Sequence, residues 1–205
     1  MRRILAIGLL PVCFATIPVG IFLLPQSQKR VVLDEFEPDR MARPATLEDM
    51  WLGATAVAVL KVLSAARLPA PSDPLGRRPR LGYDTTTYNA QVVEVIKNHS
   101  PYLTGAGQKV SVHREIGDTD VGEYIVRRIE KDFPAFVIGH QYVLFLEWNE
   151  YLQLFQVPHG PDASYDITTG VIGTSGGGAV AQSFNGKPAK DLLRQLEAIR
   201  KKHGR

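Results

Sequence analysis

The chain has 205 residues, of which 44% are hydrophobic and 22% are charged. That length suits one ordinary domain with appendages, and the composition is close to the globular average, so collagen-like, coiled-coil and wholly disordered classes are excluded. Of the 24 basic residues, four lie in residues 1–30, which contain no acidic residue. The remainder carries 20 basic and 21 acidic residues, a balance that removes the electrostatic support for binding nucleic acid.

The N-terminal segment predicts a membrane helix. An uncharged and mostly apolar run extends over residues 4–24. About 20 apolar residues span a bilayer, whereas the apolar part of a cleaved signal peptide is usually ~7–15 residues long. We therefore expect residues 1–30 to be an uncleaved signal-anchor and the folded domain to lie on the exported side of the membrane. The alternative is a cleaved signal peptide, which would leave a secreted or periplasmic protein.

Cys13, the only cysteine, lies within this apolar run. The bulky Val12 before it and the apolar residues after it favour a thiol buried in the membrane over a lipid-acylation site. Because the exported part has no cysteine, it can form neither a disulfide nor a thiolate metal site.

Residues 31–45 predict a tether between the membrane and a domain that extends over residues 46–205. The tether is charged and interrupted by prolines. Thr46 and Asp49 form a variant of the capping box, which predicts a short helix at the start of the domain. Alternating β-branched residues then predict three strands, over residues 55–63, 85–98 and 109–116.

Residues 64–82 join the first two strands and contain four prolines. A connection this long and rich in proline predicts an exposed loop. Arg77, Arg78 and Arg80 form its basic tip, which is a candidate contact for an acidic partner surface or a phosphate. Solvated arginines between prolines are the simpler interpretation.

The segment that follows the third strand predicts a short amphipathic helix. Ile125, Ile129 and Phe133 recur at every fourth position, charged residues fill the positions between them, and Pro134 ends the pattern. OB-type barrels place a helix between their third and fourth strands.

Residues 139–157 predict a β-hairpin. With Asn149 and Glu150 as a two-residue turn, Trp148 faces Tyr151 across the strands. One face of the hairpin is then apolar and belongs to a core, while the other is apolar only in its middle and needs partial cover. Residues 164–175 predict another pair of strands, and a helix that begins near Pro188 ends the domain.

Two patterns are candidates for chemistry. Ser175 in "GTSGGG" resembles the nucleophile motif of trypsin-like proteases, although a flexible glycine hairpin is the simpler interpretation. Carboxylates near the 147–166 hairpin could form an acid–base pair or a solvated rim; they are Glu147, Glu150, Asp162 and Asp166. The five histidines show no metal-binding spacing.

The order of these segments resembles a group of exported bacterial proteins, most of them uncharacterised, over roughly residues 47–200. The resemblance rests on "YNAQVVEVIKNHS", "GQKVSV", "IGHQYVLFLEW", "YLQLF" and "ITTGVI". Those proteins are similar to the OB-type barrel of tissue-inhibitor and netrin-like domains. The resemblance implies a binding module with no known catalytic residues, and the absence of a cysteine from the domain excludes the zinc-chelating mechanism of metalloproteinase inhibitors.

The sequence therefore predicts a mainly β protein: a small antiparallel OB-like barrel with a short helix between strands and a C-terminal helix, preceded by the N-terminal membrane or signal helix. We expect a non-catalytic domain that binds a partner in the cell envelope, with no cofactor and no metal ion. The alternative is a small hydrolase that uses Ser175 or the carboxylates of the hairpin.

Overall fold

The computed structural model of the chain describes residues 29–36, 43–68 and 84–203. These residues form a mainly β fold, as the sequence predicts. The strands are β1 (Arg30–Phe36), β2 (Ala56–Leu68), β3 (Thr85–Asn98), β4 (Lys109–Arg114), β5 (Gly117–Asp120), β6 (Tyr124–Glu130), β7 (Gln141–Asn149), β8 (Leu154–Gln156) and β9 (Ser164–Asp166). The helices are α1 (Leu47–Gly53), α2 (Ala179–Phe184) and α3 (Ala189–His203). The predicted membrane helix over residues 4–24 lies outside the described residues.

Five strands are joined in a ring of backbone pairings. β2 pairs with β3 and β3 with β4, both antiparallel, and β4 pairs in parallel with β8. β8 pairs with β7, and β7 returns to β2, again antiparallel. β9 lies along the side of β7 opposite β2. The three strands predicted before residue 117 are thus confirmed, while the parallel pair departs from the wholly antiparallel sheet predicted.

The strands of this five-strand ring bury side chains on both faces. Along β2, Ala56, Ala58 and Leu60 belong to a core inside the ring, whereas Val57 and Val59 belong to a second core outside it, as the two-residue period of a strand requires. The helices cover this outer core with apolar side chains, which include Met50, Trp51, Val180, Phe184, Leu192 and Leu196.

Both predicted helices at the ends of the domain are confirmed. The hydroxyl of Thr46 accepts a hydrogen bond from the backbone N–H of Asp49 at 3.0 Å and so caps α1. α3 begins directly after Pro188, and its last turn carries Arg200, Lys201, Lys202 and His203, where cations interact favourably with the helix dipole. Helix α2, by contrast, was not predicted from its short sequence.

The helix predicted from Ile125, Ile129 and Phe133 is wrong, because this segment contains strand β6. β6 forms an antiparallel hairpin with β5 and pairs in parallel with β1, which makes a separate three-stranded sheet. A period of four over so few residues does not distinguish a helix from a strand rich in isoleucine and valine. Residues 31–36 of the predicted tether are therefore strand and form most of β1. The strand that pairs with β6, and so favours a strand there, comes from a distant part of the chain.

The predicted register of the hairpin after residue 139 is also wrong. The side chain of Asn149 accepts hydrogen bonds from the backbone N–H groups of Tyr151 and Leu152, both at 3.0 Å, and Gln153 adopts a positive φ of 55°. The turn therefore has four residues, and Trp148 pairs with Phe155 rather than with Tyr151.

This shift leaves the faces of the hairpin unchanged. The partner of Trp148 moves by four positions, and an even shift keeps the side chains of both strands on their predicted faces. Tyr151, predicted to face Trp148, lies instead in the turn and is 85% exposed. Tyr142, Leu144 and Phe155 therefore lie in the core inside the ring, as predicted. The opposite face of the hairpin, which was expected to be only partly covered, is more deeply buried than predicted. Its residues Val143 and Phe145 are wholly enclosed beneath the helices.

The predicted pair of strands over residues 164–175 is present only in part. β9 pairs with β7, and a single bridge joins Asp166 to Gly173 on the returning segment. Thr168, Thr169 and Gly170 form the turn between them, with a positive φ at Gly170.

Candidate functional site

A groove of about 470 Å³ lies between the β5–β6 hairpin, the start of β3 and the turn that follows β6. The hairpin is fixed against β3 by a close backbone approach: a Cβ atom on Gly117 would lie 2.5 Å from the carbonyl oxygen of Asp84. The hydroxyl of Thr119 also accepts a hydrogen bond from the backbone N–H of Asp84 at 2.8 Å. Glycine at position 117 is thus required for the hairpin to form one wall of the groove.

Arg114 fixes the opposite wall of the groove, which is formed by the end of β6 and the turn that follows it. Its guanidinium group is buried, lies 3.0 Å from the Glu130 carboxylate, and donates hydrogen bonds to the backbone carbonyls of Phe133 and Pro134, both at 2.7 Å. The same group lies 3.3 Å above the centre of the Phe133 ring. One cation therefore fixes the end of β6 and the turn after it, and this turn supplies Phe133, Pro134 and Ala135 to the groove.

The floor of the groove is apolar and its rim is charged. Apolar lining residues include Tyr88, Ile116, Ile129, Phe133 and Pro134. On the rim, the Arg127 guanidinium group donates two hydrogen bonds of 2.8 Å to the Asp118 carboxylate, and these bonds hold the pKa of Asp118 below its usual value. Because these rim charges neutralise each other, the lining offers a ligand mainly apolar surface.

The groove lies beside both ends of the predicted partner-contact loop. Arg77, Arg78 and Arg80 themselves lie outside the described residues, so their role stays a prediction. Residues 64–68 of the predicted loop are instead the end of strand β2. Arg67 in this part of β2 forms an ion pair with Asp84, which directly precedes β3. Asp84 is also the residue against which β5 packs, so the loop leaves and rejoins the fold at the edge of the groove.

This groove was not predicted from the sequence, because part of the β5–β6 hairpin that forms its wall was interpreted as a helix. A turn signal was present: Asp120 and Gly122 separate two short segments, and both residue types favour tight turns. In the structure the Asp120 carboxylate accepts a hydrogen bond from the backbone N–H of Gly122 at 3.1 Å, and Gly122 has a φ of 80°.

Ser175 is exposed on the segment before α2, and its hydroxyl has no hydrogen-bond partner within the described part of the chain. The glycines beside Ser175 are explained by their packing. They wrap around the buried carboxylate of Asp162, which accepts a hydrogen bond from the backbone N–H of Gly178 at 2.7 Å. A Cβ atom on Gly176 would lie 2.5 Å from the same carboxylate. The "GTSGGG" motif is therefore accounted for by close packing around Asp162.

Replacing Gly176 by alanine is expected to destabilise the fold by about 1–3 kcal/mol, because the added methyl group would overlap Asp162 and also lie 2.8 Å from Ala181. The free energy of unfolding in denaturant measures this loss. Gly177→Ala is the matched control, since its new methyl group would be 3.7 Å from the nearest atom, on Arg43, and we expect a change within about 0.5 kcal/mol. Equal stability of the two variants would contradict this explanation of the motif.

The four candidate carboxylates have separate partners. Glu147 interacts with Gln156, and Glu150 accepts a weak hydrogen bond from Gln153. Asp162 lies 3.6 Å from the guanidinium group of Arg43. The fourth, Asp166, lies 2.7 Å from the Nδ1 atom of His140. Each carboxylate therefore has a local structural contact of its own.

Asp166 anchors the start of β7. Burial raises its pKa, but hydrogen bonds from Thr168 and His140 outweigh that effect, so the pKa of Asp166 lies below its usual value. The carboxylate is thus ionised at neutral pH and ties the β9 turn to the residue before β7. Among residues 29–36, 43–68 and 84–203, no group of three histidine, cysteine or acidic side chains is arranged to hold a metal ion.

Comparison of the sequence with models of known protein families gives no match, and a search of curated proteins gives none either. In the part of the chain that the structure describes, no helix combines the length and the apolar character needed to cross a bilayer. The functional conclusion therefore rests on the geometry of the fold and of its groove.

Proposed function

We propose that this chain is a non-catalytic binding domain, held on the exported side of a membrane by residues 4–24, which binds a protein partner of the cell envelope. The observation that carries the proposal is the groove beside the β5–β6 hairpin. Its volume of about 470 Å³ is in the range of ligand sites, which are mostly apolar clefts with a few polar groups at their edges.

We further infer that the five-strand ring is an OB-type barrel. Its support is the closed order of pairings, from β2 through β3, β4, β8 and β7 back to β2. OB folds are five-stranded barrels that bind ligands on their surface and through their loops. Because one fold serves many functions, the barrel supports a binding role only together with the groove.

The chemistry of the groove favours an extended segment of a partner protein that presents apolar side chains. The floor offers aromatic and aliphatic contacts from Tyr88, Ile129 and Phe133, while the rim has paired charges around Asp118. A small charged ligand would gain little here, because the rim carboxylate is already engaged by Arg127. The predicted basic loop, with Arg77, Arg78 and Arg80, adds a contact for an acidic part of the same partner.

Filling the groove tests this function. Ala135 is exposed and lines the groove, so Ala135→Trp is expected to occupy the site without disturbing the core. Val137→Trp, two residues away and outside the lining, is the matched control. The full chain is purified from crosslinked and mildly solubilised native membranes, and co-purifying proteins are identified by mass spectrometry.

We expect one near-stoichiometric partner with the unmodified chain and with Val137→Trp, and its loss with Ala135→Trp. Replacement of residues 69–82, the part of the predicted loop that follows β2, by a Gly/Ser linker should weaken recovery of the same partner. Recovery of the chain alone, or equal recovery with both tryptophan variants, would contradict the proposed use of the groove.

A further inference from the structure

We propose that the tip of the β5–β6 hairpin, residues 121–124, lies in the headgroup region of the membrane that holds residues 4–24. This inference rests on the proposed membrane tether and adds a second contact with the bilayer. The occupant of the exposed apolar surface at this tip is therefore a lipid surface rather than a protein.

The pairing of β1 places the tip next to the N-terminal entry to the domain. β1 runs parallel to β6, so Arg30, the first residue of β1, lies opposite Tyr124, the first residue of β6. Lys29 forms an ion pair with Asp120 at the end of β5. A hydrogen bond of 3.0 Å from the backbone N–H of Val121 to the carbonyl of Tyr124 closes the tip. Entry point and tip are therefore at the same end of the small sheet.

The length of chain before this point limits how far the tip can lie from the bilayer. Lys29 is five positions after Leu24, the end of the apolar run, with four residues between them. Even fully extended, five residues reach at most about 18 Å. If residues 4–24 span the membrane, the start of β1 and the hairpin tip must lie close to the lipid surface.

The side chains at this end of the sheet suit such a position. Val121 is 47% exposed and Tyr124 is 39% exposed. The neighbouring strand β1 adds Val31 and Val32, which pair with Ile125 and Val126 and are 50% and 46% exposed. Tyrosine is enriched at membrane interfaces, where its ring contacts apolar groups and its hydroxyl reaches water. Exposed apolar side chains grouped in this way mark an interaction surface.

Charge contributes little to this contact. Lys29 and Arg30 favour an anionic surface, but Asp120 and Glu123 lie at the same tip, and Lys29 pairs with Asp120. The net local charge is therefore near zero. We infer that the apolar side chains carry the contact, so that zwitterionic lipid is sufficient for it.

The test uses the full chain with Cys13→Ser, reconstituted into phosphatidylcholine vesicles. A nitroxide is attached at Val121→Cys and, in a separate sample, at Val171→Cys, which is matched in exposure at 48%. Accessibility of each label to oxygen, which enters lipid, and to a water-soluble nickel complex is measured by power saturation. A second pair, Tyr124→Cys and Tyr151→Cys, repeats the comparison with two exposed tyrosines on different turns.

We expect labels at residues 121 and 124 to be less accessible to nickel and more accessible to oxygen than labels at residues 171 and 151, which remain open to nickel. Equal nickel accessibility at all four positions, in protein that floats with the vesicles, would overturn this inference and leave the tether intact. Failure of the full chain to float with the vesicles would overturn the proposed tether and the inference together.

Discussion

Replacement of Arg114 by leucine is expected to destabilise the fold by about 3–5 kcal/mol, because it removes the guanidinium group that lies 3.0 Å from the buried carboxylate of Glu130. The side chains of the two residues are only 2% and 8% exposed, so water cannot replace the lost contact. The loss of the hydrogen bonds to Phe133 and Pro134 frees the turn that forms one wall of the groove. Unfolding of the full chain by denaturant in mild detergent gives the loss as a change in the free energy of unfolding.

Two further variants identify the buried pair as the cause. The double variant with Arg114→Leu and Glu130→Leu also lacks the buried carboxylate of residue 130. We therefore expect it to recover much of the stability that Arg114→Leu loses. Arg127→Leu removes a guanidinium group from the exposed pair with Asp118, and we expect a change within about 1 kcal/mol. A double variant no more stable than Arg114→Leu would contradict the explanation.

Replacement of Phe155 by alanine is expected to destabilise the fold by about 3–5 kcal/mol, the range found for removal of a buried aromatic ring. Phe155 is 1% exposed and lies in the core inside the ring. It is the middle residue of β8, the three-residue strand that joins β4 to β7, and it pairs with Val112 on one side and Trp148 on the other. Its ring also contacts the edge of Trp148, with centroids 5.0 Å apart.

The position of β8 predicts which strands lose stability in Phe155→Ala. Because β8 joins β4 to β7, we expect backbone amides of β4 and β8 in Phe155→Ala to exchange with deuterium faster than those of β3. Leu154→Ala changes a half-buried neighbour in the same strand and should have a smaller effect. Equal losses of stability in the two alanine variants would show that the ring interior does not depend on Phe155.

Alternation along strands could be predicted from the sequence because it depends on neighbours in the chain. The apolar residues of β7 were assigned to the correct faces even though the hairpin register was wrong by four residues, since an even shift preserves the face. The register itself depended on Asn149, whose side chain stabilises a four-residue turn. That choice involves hydrogen bonds that the alternating pattern does not specify.

The groove could not be predicted because its walls come from separated parts of the chain. Thr86 lies on β3, Ile116 lies before β5, and Phe133 follows β6. β6 itself is fixed as a strand by pairing with β1, roughly 90 residues earlier in the chain. Local periodicity at Ile125 and Ile129 fits either a helix or a strand, and only this distant pairing selects between them.

The two surfaces proposed here lie at different ends of the same hairpin. The end of the hairpin near Gly117 forms the groove beside Asp84, while the end at Val121 lies beside Lys29 and the entry to the domain. A tip held at the bilayer would therefore keep the groove at a fixed height above it. That arrangement suits a partner that is itself part of the membrane or lies close to its surface.

Site-specific photo-crosslinking tests the central claim, that the groove binds an envelope partner, most directly. A benzophenone amino acid is introduced at Ala135, inside the groove, or at Val137, outside it, and the full chain is irradiated in native membranes. We expect a discrete adduct from position 135, containing a peptide of one partner, and none from position 137. Adducts of the same kind from both positions, or from position 137 alone, would contradict the assignment of the groove as the binding site.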